Sequence, residues 1–174
     1  MIHAGIDLSL RSTGLTILKD GELADFSLVS NEQQGEELVV ANSTDILDFL
    51  QKHKPDKITI EGLAFGGKSG SMDIIQGNHW FLRCSIWLLF IDVPVEIVAV
   101  SRWRKYVIPK ERAKVLRDLG EKEWQKKECV DKLPLNVKEE FERYIKANGF
   151  SKKQIYDLTD SYWISKYAVL TEPK

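Results

Sequence analysis

The sequence predicts an α/β fold, a mixed sheet of about five strands with helices on its faces. Three observations predict it. First, Ile2, Ala4 and Ile6 alternate with His3 and Gly5, and after a Gly-containing turn Leu15 and Ile17 alternate again, so the chain opens on a hairpin. Second, two short apolar runs, 57–61 and 93–100, read as later strands. Third, the segments around them carry apolar residues at spacings of three and four, the mark of helices that bury one stripe.

In chain order, a turn at Gly21-Glu22 leads to a third strand over 23–29, which completes an antiparallel meander. Residues 35–52 read as a helix with Leu38, Asn42, Ile46, Phe49 and Leu50 on one stripe. Pro55-Asp56 ends it, and the strand 57–61 follows. A glycine-rich loop over 62–70 precedes a second helix, 71–90, whose stripe holds Ile74, Ile75, Asn78, Phe81, Leu82, Ser85 and Leu89. That loop lacks the spacing of a phosphate-binding P-loop and reads as a DNA-responsive segment carrying Lys68. After the strand 93–100, helical segments run to about 147 with breaks at Pro109, Gly120 and Pro134. Ser151 and Gln154 form a capping box for a last helix to about 170. The whole, 1–174, reads as one domain with no repeats or linker.

Composition narrows the function. A net charge of −1 argues against a wholly basic nucleic-acid binder, but the charge is unevenly spread. Residues 101–153 hold 16 Lys and Arg against 9 Asp and Glu, so a basic third faces an acidic remainder. Such a split suits a polyanion on one face. The longest apolar stretch, 86–100, is broken by Asp92, Pro94 and Glu96, which excludes a membrane span, and no export leader is legible, so the expected location is cytoplasmic. Cys84 and Cys129 stand alone, as inert thiols do, and His3, His53 and His79 have no ligand spacing.

Four acids fall where acids are awkward: Asp7 inside the first strand, Glu61 at the end of Ile58-Thr59-Ile60, and Asp157 and Asp160 in the last helix. Counted from Ser151, Asp157 lies past the first turn, so the helix dipole does not account for the pair. Each acid singly is a salt-bridge or exposed position. Together they describe an all-oxygen site suited to Mg²⁺, with Mn²⁺ as substitute, rather than zinc. Two ions in such a site are the requirement of two-metal phosphodiester hydrolysis, with Asp7 on the most rigid element as the natural bridge.

The run from Gly5-Ile6-Asp7-Leu8-Ser9 to Gly14, then Ile60-Glu61-Gly62, then Asp157-Leu158-Thr159-Asp160, resembles the RuvC family of Holliday-junction resolvases, in order and approximate spacing across nearly the whole chain. The resemblance implies a ribonuclease H-like fold, with three antiparallel strands followed by parallel ones. It implies metal ligands at Asp7, Glu61, Asp157 and Asp160, and a homodimer packed through the helix at 71–90. The implied activity is paired nicking of four-way junctions as a crossover junction endodeoxyribonuclease. It also implies an aromatic wedge, for which Phe65 is the nearest match, the other reading of Phe65 being a loop anchor on the core, and phosphate contacts from Arg104 or Lys105 and from Lys126 or Lys127. The stretch 110–149, with Trp124 and several lysines, is longer than in bacterial members, as in a divergent phage-type chain acting in its host's cytoplasm.

Arg102, Arg104 and Lys105 interleave with Trp103 and Tyr106, which either stack on splayed bases or serve as core of a short helix. The expected function is a metal-dependent, structure-selective DNA endonuclease. The alternatives are a nuclease for flaps, other branched DNA or RNA–DNA hybrid, because hydrolysis is shared and substrate choice lies in shape. An ATP-binding protein of the actin and sugar-kinase type needs two such domains, and the chain has length for one.

Overall fold

The structure, a computed structural model, describes residues 1–63, 72–120 and 123–171. Strands β1 (Ile2–Asp7), β2 (Thr13–Lys19) and β3 (Glu22–Val29) form the antiparallel meander. Strand β4 (Lys57–Glu61) pairs parallel to β1, and β5 (Val95–Val98) pairs parallel to β4. The order across the sheet is β3-β2-β1-β4-β5.

Side-chain alternation decides which residues face which layer. Ala4, Ile6, Leu15, Ile17, Ile58 and Ile60 point to one face. There Ile46 and Leu50 of α1 (Gly35–His53) and Leu82 and Ile86 of α2 (Met72–Leu89) cover them. Truncating one of these fully buried residues, Leu82→Ala for instance, costs about 2–5 kcal/mol.

The opposite face is covered by α7 (Ile155–Leu170) and, farther out, α6 (Leu135–Ala147), through Leu158, Tyr162, Phe141 and Ile145. Helix α7 lies close to the sheet because Gly5 of β1 and Gly14 of β2 present no side chain where it crosses them. A Cβ built on Gly14 would collide with the Asp157 carbonyl. One on Gly5 would collide with the Ser161 carbonyl and come within 2.7 Å of the Ser165 nitrogen. Buried hydroxyls complete the seam: Thr16 Oγ1 and Ser161 Oγ share a 2.8 Å hydrogen bond, and Ser165 Oγ donates to the His3 carbonyl at 3.3 Å.

Three sequence expectations are corrected. The strand expected over 93–100 is only Val95–Val98, and Val100 begins α3 (Val100–Val107). Val100, Trp103 and Val107 recur at helical spacing, so the apolar run held a strand and a helix start end to end. Secondly, the Ser151–Gln154 capping box forms, but it caps a single 3-10 turn (Lys152–Gln154), and α7 proper starts at Ile155. Asp157 is therefore in the first turn of α7, not past it. Thirdly, Phe81 and Leu89 of the α2 stripe are exposed, because the buried line runs through Asn78, Leu82 and Ile86. Between α3 and α7 lie α4 (Lys110–Asp118), α5 (Trp124–Asp131) and α6, with helix interruptions at Pro109, Gly120 and Pro134. No helix among the described residues is long and apolar enough to cross a membrane.

Candidate functional site

The four acids gather at one end of the sheet, and the sequence-level reasons are local. Ile6 on β1 pairs with Ile60 on β4, so the next residue of each strand, Asp7 and Glu61, closes the two strands side by side. Asp7 shares the parity of Gly5, which faces α7. Its antiparallel partner is Gly14, on which the Asp157 backbone rests. Asp160 follows three residues on, on the same side of α7. Asp7, Glu61 and Asp157 keep part of their surface accessible, whereas Asp160 is 4% exposed.

The acids feel one another. Burial holds the Asp7 carboxyl well above the usual carboxylate range, and Asp160, Glu61 and Asp157 push it further. Burial, then the Asp160 charge, pushes Glu61 up to about 7 against the pull of Trp103, Arg104 and Lys126. Asp157 is raised by burial and relieved by the Ser12 hydroxyl and by Lys126. Asp160 is raised by burial and relieved chiefly by Arg104.

Partners aim individual oxygens. Trp103 Nε1 donates to Glu61 Oε2 at 2.9 Å, and Arg104 Nη2 donates to Asp160 Oδ2 at 2.8 Å. Among the described residues, no three acids draw together tightly enough to enclose a cation, since Glu61, Asp157 and Asp160 each lean toward a separate partner. The donor set nonetheless fits a hard divalent ion. It is all oxygen, it is strongly anionic, and Asp160 Oδ1 is buried without a hydrogen-bond partner among the described residues. An unsatisfied buried carboxylate oxygen beside three further acids is what a cation ligand looks like.

The members of each cationic pair are placed differently. Arg104 reaches Asp160, packs over the Trp103 ring at 4.9 Å and donates to Gln125 at 3.3 Å. Lys126 sits 5.4 Å from the Tyr156 ring centroid and within electrostatic reach of Glu61, Asp157 and Asp160. Arg102, Lys105 and Lys127 are exposed. Phe65 and Lys68 lie outside the described residues. Of the two readings open for Trp103, core of a short helix is the one that holds: its ring is fully buried among Val98, Val107 and Ile164, and its N–H is spent on Glu61. Tyr106, by contrast, is 48% exposed and meets Tyr167 edge to face.

Sequence reasoning missed the residues that hold the site in place. The β1–β2 turn is tied shut by Ser9 Oγ donating to the Ser12 carbonyl at 2.7 Å and Thr13 Oγ1 donating to the Ser9 carbonyl at 2.9 Å. That closure aims the Ser12 hydroxyl at Asp157. Asn42 Nδ2 donates to the Leu10 carbonyl at 3.0 Å, and Asn78 Nδ2 reaches the Ser9 carbonyl at 3.4 Å. The signal was present: an Asn within each apolar stripe of α1 and α2 has to find a partner when buried.

No protein-family model and no curated protein sequence matches the chain. Solved structures do. RuvC of Thermus thermophilus in complex with a Holliday-junction substrate aligns over 100% of this chain and 98% of its own, with a TM-score of 0.60 and 17% identity. The fowlpox virus resolvase with its junction DNA aligns over 98% of this chain and 100% of its own, with a TM-score of 0.53 and 14% identity. The chain has the RuvC-type, ribonuclease H-like fold. The yeast mitochondrial Holliday-junction resolvase shares it over 94% of this chain and 75% of its own, at a TM-score of 0.54 and 16% identity. Within this RuvC-type framework the four acids stand at the carboxyl ends of β1 and β4 and on the helix that crosses them.

Proposed function

We propose that the chain is a metal-dependent, structure-selective DNA endonuclease that resolves four-way junctions by paired nicks. The observation that carries this reading is the convergence of Asp7, Glu61, Asp157 and Asp160 from three distant segments on one accessible end of the sheet. The structural likeness to junction resolvases supports it. These four residues would hold Mg²⁺ or Mn²⁺, which supplies a hydroxide nucleophile at neutral pH and stabilises the departing oxygen. Arg104 and Lys126 offset the phosphate charge beside the acids, and the exposed Arg102, Lys105 and Lys127 carry the DNA backbone nearby. Phe65 and Lys68 are proposed to approach the branch point.

A synthetic immobile junction, a flap and a linear duplex, each incubated with Mg²⁺, Mn²⁺ or EDTA, test the proposal. Paired nicks in the junction with either metal are expected, with an intact duplex. Preferential cutting of the flap moves the chain to the related branched-DNA nucleases, and an intact junction with both metals removes the proposal.

Trp103→Phe keeps an aromatic ring in the buried position and deletes the donor to Glu61, with a smaller ring in the core. The Mg²⁺ concentration needed for half-maximal cleavage is expected to rise about 10–100-fold, as when a ligand's supporting hydrogen bond is removed. An unchanged Mg²⁺ midpoint would release Trp103 from this role.

The homodimer is proposed to form through α2. Its outer side presents Trp80, Phe81, Trp87 and Leu88, the last 80% exposed, and clustered large apolar side chains of this kind mark interaction surfaces. Sedimentation of wild type as a dimer and of Trp87→Asp/Leu88→Asp as a monomer is the expected result. A monomeric wild type at micromolar concentration contradicts it.

A further inference from the structure

A cleft of about 840 Å³ opens between α5, α6 and the start of α7, outside the group of acids. Its size falls in the range of about 300–1,000 Å³ typical of small-ligand sites. The floor is apolar and aromatic: Ile145, Phe150, Ile155 and Tyr156. The rim is basic: Lys127, Lys138, Lys146 and Lys152 stand against Asp131 and Glu142. Lys138 is paired with Asp131 at 3.3 Å, while Lys146 and Lys152 are exposed and without a carboxylate partner among the described residues.

The cleft neighbours the end of the sheet that carries the acids. Tyr156 lines it and is followed in sequence by Asp157. Lys126, which faces the acids, lies over the same Tyr156 ring, and the next residue, Lys127, lines the cleft. Two successive lysines thus stand between the acids and the aromatic-floored groove, Lys126 toward the acids and Lys127 on the cleft lining.

We propose that this cleft binds single-stranded DNA, an unpaired stretch beside the scissile phosphate, with bases on the apolar floor and phosphates on the lysine rim. The combination selects this occupant. Lysine rims attract any nucleic acid, but a duplex presents phosphates on a convex surface and keeps its base faces stacked inside. Only an unpaired strand can lay a base face on Phe150 or Tyr156 while its backbone meets Lys146 and Lys152. An acidic peptide would satisfy the rim and leave the aromatic floor uncovered. The inference rests on the nuclease reading for the source of the unpaired stretch, but binding is measurable without cleavage.

The test uses the full chain in EDTA. Fluorescence anisotropy compares a labelled oligo-dT of about eight nucleotides, within the usual single-strand site size, with a blunt duplex of equal length. A second oligonucleotide carries a 2-aminopurine base. Lys146→Glu/Lys152→Glu, both exposed positions, is the variant, with circular dichroism as the check on folding. The variant is expected to bind oligo-dT about tenfold more weakly, and its salt slope is expected to fall by about 1.4, the loss of two single-strand phosphate contacts. Duplex binding changes little, and 2-aminopurine fluorescence is quenched on wild type. Unchanged oligo-dT affinity, an equal loss for duplex, or absence of quenching overturns the inference. A protein that shows this single-strand binding but cuts no branched DNA retains the cleft and loses the nuclease reading. One that cuts junctions while the double variant binds oligo-dT like wild type retains the nuclease and loses the cleft.

Discussion

Asp7→Asn is expected to lower junction cleavage by about 10²–10³-fold or more, the scale of losing one preorganised charge-stabilising group, while raising the thermal stability of the metal-free protein. Both halves follow from the same crowding. In the folded chain the Asp7 carboxyl is held well above its ordinary range by burial and by three neighbouring acids. Glu61 is pushed up to about 7. A carboxyl raised in the folded state contributes stability at low pH, below the ordinary carboxylate range, and loses it as pH rises through the folded value. Metal-free wild type is therefore expected to lose roughly 4–8 °C in Tm between about pH 5 and pH 8. Asp7→Asn removes one charge from the group and flattens that profile. Thermal melts across pH in EDTA check the stability half, and single-turnover cleavage checks the other. A variant that cuts at the wild-type rate with Mg²⁺, or melts below wild type at pH 8, contradicts the assignment of Asp7.

Gly14→Ala has the second-largest expected effect, through geometry rather than charge. The added methyl would overlap the Asp157 carbonyl and press on the Leu158 nitrogen at 3.1 Å, both rigid backbone. Helix α7 must lift off β2, which costs about 2–4 kcal/mol and roughly 5–15 °C in Tm. Because α7 carries Asp157 and Asp160, the same displacement spoils the site, so cleavage should fall further than lost fold accounts for. Gly77→Ala is the control. It lies in α2 with nothing among the described residues within 4 Å of an added Cβ, and Ala is the better helix former by about 0.5–1 kcal/mol. Melting curves and cleavage rates measured below both Tm values compare the two. Equal stability for Gly14→Ala and wild type would mean that α7 does not sit as closely on β2 as described.

Much of this organisation is legible in the residues themselves. Alternation in β1 and β2, the helical stripes of α1 and the capping box at Ser151 are local signals, and local signals survive into the fold. The four acids were conspicuous because apolar surroundings make a carboxylate expensive. What could not be read was contact between distant segments. Nothing in the order of residues says that Trp103 turns its N–H to Glu61, or that Ser12 turns its hydroxyl to Asp157. The run 93–100 misled because a strand and a helix start share it without an intervening polar residue. Gly5 reads as a strand position and Gly14 as part of the hairpin turn, and their part in seating α7 appears only when the two layers are placed together.

Everything in the catalytic reading depends on four acids acting as one cation site. Titration with Mn²⁺, followed by electron paramagnetic resonance, reads that directly in wild type and in Asp7→Asn without DNA or turnover. Saturable binding with the signature of a magnetically coupled pair in wild type, weakened and uncoupled in the variant, is the expected result. Wild type that leaves the Mn²⁺ spectrum unchanged, or a variant that binds Mn²⁺ as wild type does, would contradict it.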